Sequence, residues 1–124
     1  MSDTSPHSSH ESWQGDACSL VEEFRAKRRS PAEELAATLR DIEKSNLNAF
    51  SFIDATNALA AAQTADTSLP FGGVPLAVKE LDAVQGWPDT SACAVFADLV
   101  AEHTSIMEQR MQQEGGMVPF GLTT

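Results

Sequence analysis

Apolar positions along the chain recur first at helical spacing, then alternate, and finally fall into short runs bounded by Gly and Pro. Leu20, Val21 and Phe24 share one side of a short helix, with Ser19 and Glu22 at capping-box spacing and a basic end near Arg28 and Arg29. Ser30-Pro31-Ala32-Glu33 repeats the start signal more completely, with a capping Ser, Pro at the first helical position and Glu three residues after the cap. The helix it opens carries Leu35, Ala36, Leu39 and Ile42 on one face and ends near Lys44, before Asn46 and Asn48.

Ala49 to Asp54 partly alternates apolar and polar residues and reads as a short strand. Ala55 to Asp66 is dominated by alanine, the best helix former, whose small side chain lets a helix lie close to its neighbour. After the turn-rich Leu69–Gly73 junction, Val74-Pro75-Leu76-Ala77-Val78 is too short for a buried helix and predicts a strand with Pro near its start. Asp82 to Ala94 is irregular and longer than a simple connection requires. Thr104 is placed to cap a last helix over Ser105–Glu114, with Met107 and Met111 as core contacts; Gly115-Gly116 ends it. Met117-Val118-Pro119-Phe120 predicts a further buried strand. Met1 to Gly15, rich in Ser, His and Asp with one aromatic, Trp13, predicts a disordered tail, so the ordered domain is expected over 16–124.

Composition, 42% apolar and 21% charged, is that of a globular chain, and no apolar run approaches the roughly 20 residues that span a bilayer. A net charge of −10 repels phosphate backbones and anionic lipid, so nucleic-acid and membrane-surface partners are excluded as expectations, and a cytoplasmic location is expected. The one basic run, Lys27-Arg28-Arg29, reads as a solvated helix end. Cys18 and Cys93 lie far apart, which suits a reducing compartment better than a disulfide scaffold. His7, His10 and Cys18 lack a fourth ligand at supporting spacing, so no metal site is expected. Cys93 is read as a small apolar side chain rather than a reactive thiol.

Charge is unevenly distributed: residues 63–124 hold eight acids and only two bases, Lys79 and Arg110. Lys79 closes the most apolar strand, where partial withdrawal from water is expected. An ammonium so placed either finds a partner or loses its proton, and a neutral lysine is a base or nucleophile. The alternative is a lysine that ends an edge strand and extends into solvent, paired with Glu80 or Asp82.

The segment Leu69-Pro70-Phe71-Gly72-Gly73-Val74-Pro75-Leu76-Ala77-Val78-Lys79-Glu80 resembles the Gly-(Ile/Val)-Pro-apolar-x-Val-Lys-(Asp/Glu) stretch of the amidase signature family. Leu47-Asn48-Ala49-Phe50 is similar to that family's Asn-Ala-Phe before its alanine-rich helix, and Gly115-Gly116 with Gly121-Leu122-Thr123-Thr124 is similar to the end of its next helix–strand unit. The resemblance implies an α/β fold: N-terminal helices, then the first strands and helices of a mixed-sheet α/β/α sandwich, incomplete within these residues. It implies amide hydrolysis by a Ser-cisSer-Lys triad with Lys79 as the lysine, a small-molecule amide as substrate of the full-length relative, and no cofactor. Both triad serines belong to a Gly/Ser-rich segment that these 124 residues do not contain, so the chain alone is expected to be inactive. Ser91 and Ser105 do not sit in such a segment and are not read as nucleophiles. In the loop Gly86–Cys93, Ala92-Cys93 replaces the family's Gly-Ser, and Leu122 replaces a common lysine. The competing readings are a non-catalytic scaffold that binds a partner through open strand edges, and a fragment of the A-type component of an amidotransferase.

Overall fold

A computed structural model describes residues 11–124. The elements are α1 (Ala17–Arg25), α2 (Pro31–Lys44), β1 (Phe50–Ile53), α3 (Ala55–Gln63), β2 (Pro75–Lys79), α4 (Ile106–Gln113) and β3 (Val118–Thr123), with one 3₁₀ turn at Ala94–Phe96. The strands form a mixed sheet in the order β1-β3-β2, β1 antiparallel and β2 parallel to β3. A parallel pair needs a crossover, which here is the long excursion from Glu80 to Met117 that contains α4.

Local chemistry explains where the elements start. At α2 the expected capping box is formed: Glu33 N–H donates to Ser30 Oγ at 3.1 Å and the Ser30 N–H reaches the Glu33 carboxylate. At α1 the cap is Asp16 rather than Ser19: the Asp16 carboxylate accepts from the Ser19 N–H at 2.7 Å, while the Ser19 hydroxyl donates to the Asp16 carbonyl. These bonds from Ser19 hold the Asp16 carboxyl below its ordinary range. Thr104 likewise does not cap α4. Its Oγ1 accepts from the Gln85 N–H at 3.0 Å, and Ser105 occupies the cap position without a side-chain cap bond.

Three apolar clusters follow from these placements. Leu35, Ala58, Ala62, Val118 and Phe120 pack α2 and α3 onto one face of the sheet, and the alanines allow the close approach expected of them. Leu20, Val21 and Phe24 of α1 pack on Val74 at the entry to β2. Val78 and Leu122 pack with Val84 and Trp87, which cover the opposite face from the irregular segment after β2. Gly121 is needed where β3 passes β1, since a Cβ there would lie 2.6 Å from the Phe52 carbonyl oxygen.

The expected tail falls mostly on residues 1–10, outside the described residues. Its last part is held in place: Trp13 N–H donates to Glu34 at 3.0 Å, and Trp13 Nε1–H donates to Ser19 Oγ at 3.0 Å. Only part of the basic run is solvated. Arg28 pairs with Glu23 at the surface, whereas Arg29 is buried, paired with Glu34, bonded to the Glu11 carbonyl at 2.7 Å and stacked 5.8 Å from the Trp13 ring. Met107 is 50% exposed and Met111 half-buried, so the expected core face of α4 turns outward; its buried residue is Glu108.

Candidate active site

β2 alternates sides. Leu76 and Val78 join the cluster under Trp87, which puts Pro75, Ala77 and Lys79 on the other face. Lys79 therefore ends a strand whose register is fixed by Val78 and pairs alongside Thr123 of β3. The backbone beyond is closed at once: Glu80 N–H donates to the Thr123 carbonyl at 3.0 Å, and Asp82 N–H donates to the Lys79 carbonyl at 2.9 Å. The position of the Lys79 Cα is thus set by a core residue before it and a hydrogen-bonded turn after it.

The side chain is exposed, not withdrawn from water as expected. The reason is the floor beside it. Ala77 on its own strand and Gly121 on β3 are too small to cover it, and Ala77 is itself exposed. Neither Glu80 nor Asp82 forms an ion pair with it among the described residues. On the same face lies an open cleft of about 330 Å³ lined by Trp13, Leu20, Glu34, Val74, Ala77 and Phe120, among others.

The segment 82–101 is irregular but tied together. Gly86 N–H donates to the Ala101 carbonyl and Ala101 N–H to the Trp87 carbonyl, each at 2.9 Å; Pro88 bridges Val100; and Trp87 Nε1–H donates to Asp54 at 2.9 Å. At its tip Ser91 (φ 48°) and Ala92 (φ 56°) are both left-handed. An L-residue there costs about 1–2 kcal/mol, more than the roughly 0.4–1 kcal/mol that glycine forfeits through unfolded-chain entropy. Ala92→Gly is therefore expected to stabilise the fold by about 0.5–1 kcal/mol, read as a higher urea midpoint at unchanged slope. A lower midpoint would show that the left-handed conformation at Ala92 carries no strain.

The other candidates are not gathered around Lys79 by any described contact. Ser91 is exposed at the loop tip, Ser105 caps α4, Cys93 is half-buried and Cys18 is exposed. His7 and His10 lie outside the described residues. Among the described residues no three His, Cys, Asp or Glu side chains are grouped to hold a metal, and no helix is long and apolar enough to cross a membrane. One ionisable residue escaped the sequence reading: Glu108, buried on α4 and pushed above the ordinary carboxyl range by burial and by the nearby Asp82. Its signal was the Ser105-x-x-Glu108 spacing, a capping box by sequence.

A family model described as Amidase matches residues 33–124, a span that includes all three strands, the Lys79 turn and α4. The chain belongs to the amidase family. Over 113 residues this amidase-family chain is 37% identical to the A-type component of the glutamyl-tRNA(Gln) amidotransferase of Akkermansia muciniphila, covering 89% of this chain and 23% of that protein. The corresponding protein of Dechloromonas aromatica is 32% identical over 106 residues, covering 79% and 22%. Among solved structures, 6-aminohexanoate cyclic dimer hydrolase superposes with a TM-score of 0.79 at 27% identity, over 89% of this chain and 23% of that one. A bacterial aryl acylamidase of the amidase signature family shares the fold, with a TM-score of 0.80 at 24% identity over 89% and 25%. The amidase-family chain thus spans about a quarter of the length of the curated relatives it matches.

Proposed function

We propose that these residues form the lysine-bearing part of an amide-hydrolysing site, with Lys79 as its base. The observation that carries this is the setting of Lys79. It is a strand-end lysine whose backbone is held on both sides, on a face floored by small residues that leave room for a reacting group. In this reading neutral Lys79 accepts the proton of a bridging serine, which takes that of a nucleophilic serine; the latter attacks the amide carbonyl and expels ammonia or an amine. Water then resolves the acyl-enzyme to the acid. Backbone N–H groups beside the nucleophile would hold the oxyanion. Both serines come from polypeptide outside these residues.

Burial disfavours the charged form of an amine, so further polypeptide covering this face is what converts an exposed lysine into a base. A second surface is also suited to further polypeptide: among the described residues, seven of the eight exposed large hydrophobics lie between Leu81 and Met107, on the segment that covers the opposite face. The substrate class is a small carboxylic amide, as the relative named a cyclic dimer hydrolase suggests. The second reading is an amidotransferase component that works with protein partners, favoured by its 37% identity to such a protein.

Assayed alone against simple aliphatic and aromatic amides, the chain is expected to match its Lys79→Ala variant, neither giving turnover above buffer. Lysine-dependent turnover by these residues alone would refute the division of the triad.

A further inference from the structure

We propose that Glu108 is a positioning residue that carries a proton: in its neutral form it packs uncharged at the start of α4, where that helix end is stapled to the turn that follows Lys79, and its ionisation loosens that turn. Glu108 is 3% exposed, and its Oε2, like the Oγ of Ser105, is buried without a hydrogen-bond partner among the described residues. The two residues stand at the cap and third positions of α4, where a Ser–Glu pair ordinarily exchanges bonds with each other's backbone N–H. That exchange is blocked. The Ser105 N–H donates instead to the Ala83 carbonyl at 2.9 Å, which removes the donor a Glu108 carboxylate would need.

A carboxylate can only accept hydrogen bonds, whereas a carboxylic acid also donates. A buried carboxyl whose Oε2 meets no donor is suited to the neutral form. The charged surroundings agree. Asp82, in the turn after β2, is the charged group that acts on Glu108, and its sign opposes ionisation; Glu102 and His103 before the helix and Arg110 on it are exposed to water. The turn itself is stapled to this helix end at two points, Ala83 carbonyl to Ser105 N–H and Gln85 N–H to Thr104 Oγ1, and Asp82 in the same turn donates its N–H to the Lys79 carbonyl. Charging Glu108 sets a buried anion against Asp82, at the point where α4 holds the turn that places Lys79.

A carboxyl that titrates higher in the folded chain than in the unfolded one stabilises the fold below its unfolded pKa, and that contribution is lost as pH rises through the folded pKa. Urea denaturation of the full chain and amide hydrogen exchange at residues 80–85, both followed from pH 4 to 9, test this for wild type, Glu108→Gln and Asp82→Asn. Above the ordinary carboxyl range, the wild-type folding constant should fall relative to Glu108→Gln by up to about tenfold per pH unit, until Glu108 is ionised. Amide protection factors at Asp82 and Gln85, which remove the base catalysis common to every amide, should fall as Glu108 ionises in wild type and stay level in Glu108→Gln. Asp82→Asn, which removes the opposing charge, should end both changes at a lower pH. That variant carries the test if Glu108→Gln does not fold. Parallel pH profiles for wild type and Glu108→Gln, protection factors at 80–85 indifferent to pH, or an unmoved profile in Asp82→Asn would each overturn the proposal. No amide substrate is involved, so the outcome is independent of the amidase reading.

Discussion

Glu34→Ala should destabilise the fold by about 3–5 kcal/mol, a large share of the roughly 5–15 kcal/mol that holds an ordinary domain together. The carboxylate performs two tasks in a space closed to water. It neutralises Arg29, and it accepts the N–H of Trp13, whose ring lies against the same guanidinium. Removing it leaves a buried cation with one carbonyl, that of Glu11, and takes the Glu34 acceptor from the Trp13 N–H. The size of the loss comes from the uncompensated charge rather than from the net strength of the pair, since burying both ions is itself costly. The double variant Arg29→Met/Glu34→Leu should accordingly recover much of what Glu34→Ala loses. Urea midpoints at constant slope read both numbers. A Glu34→Ala loss below about 1 kcal/mol would mean that Arg29 escapes to solvent when its partner is gone.

The second large effect is chemical. In an assembled amidase containing these residues, Lys79→Ala should lower amide turnover by about 10²–10⁴-fold, the range expected for a positioned proton acceptor. The fold should be unaffected, because the side chain is exposed and its neighbours on β2 and β3 are held through backbone bonds and Val78. Lys79→Arg should not rescue, since a guanidinium does not give up its proton at working pH. Loss of turnover without loss of stability is the combination that separates a base from a structural lysine.

These two sites differ in how far sequence reveals them. Elements whose signals are local were readable: the Ser30–Glu33 box, the alanine helix packed at Ala58 and Ala62, and the short apolar run that becomes β2. The place of Lys79 at the end of β2 was readable because the apolar run before it is local. What could not be read depends on pairing across the fold. Arg29 looked like a solvated helix end, yet the chain turns between α1 and α2 so that it meets Glu34 and a segment more than a dozen residues earlier. The start of α1 lies earlier because the Asp16 carboxylate accepts the Ser19 N–H, which makes Ser19 the third residue of the helix rather than its cap. Glu108 lay within a capping-box pattern, but the donor it would have used is taken by Ala83, a contact no local spacing encodes. The exposure of Lys79 depends on Ala77 and on Gly121, brought beside it only when β3 pairs with β2.

The lysine assignment is tested most directly by replacing the matched segment of 6-aminohexanoate cyclic dimer hydrolase with residues 33–124 of this chain and comparing kcat/KM for amide hydrolysis with and without Lys79→Ala. The account predicts that the chimera hydrolyses amide and that Lys79→Ala removes about 10²–10⁴-fold of that activity while leaving its melting temperature unchanged. A folded chimera whose turnover is the same with and without Lys79→Ala would contradict it.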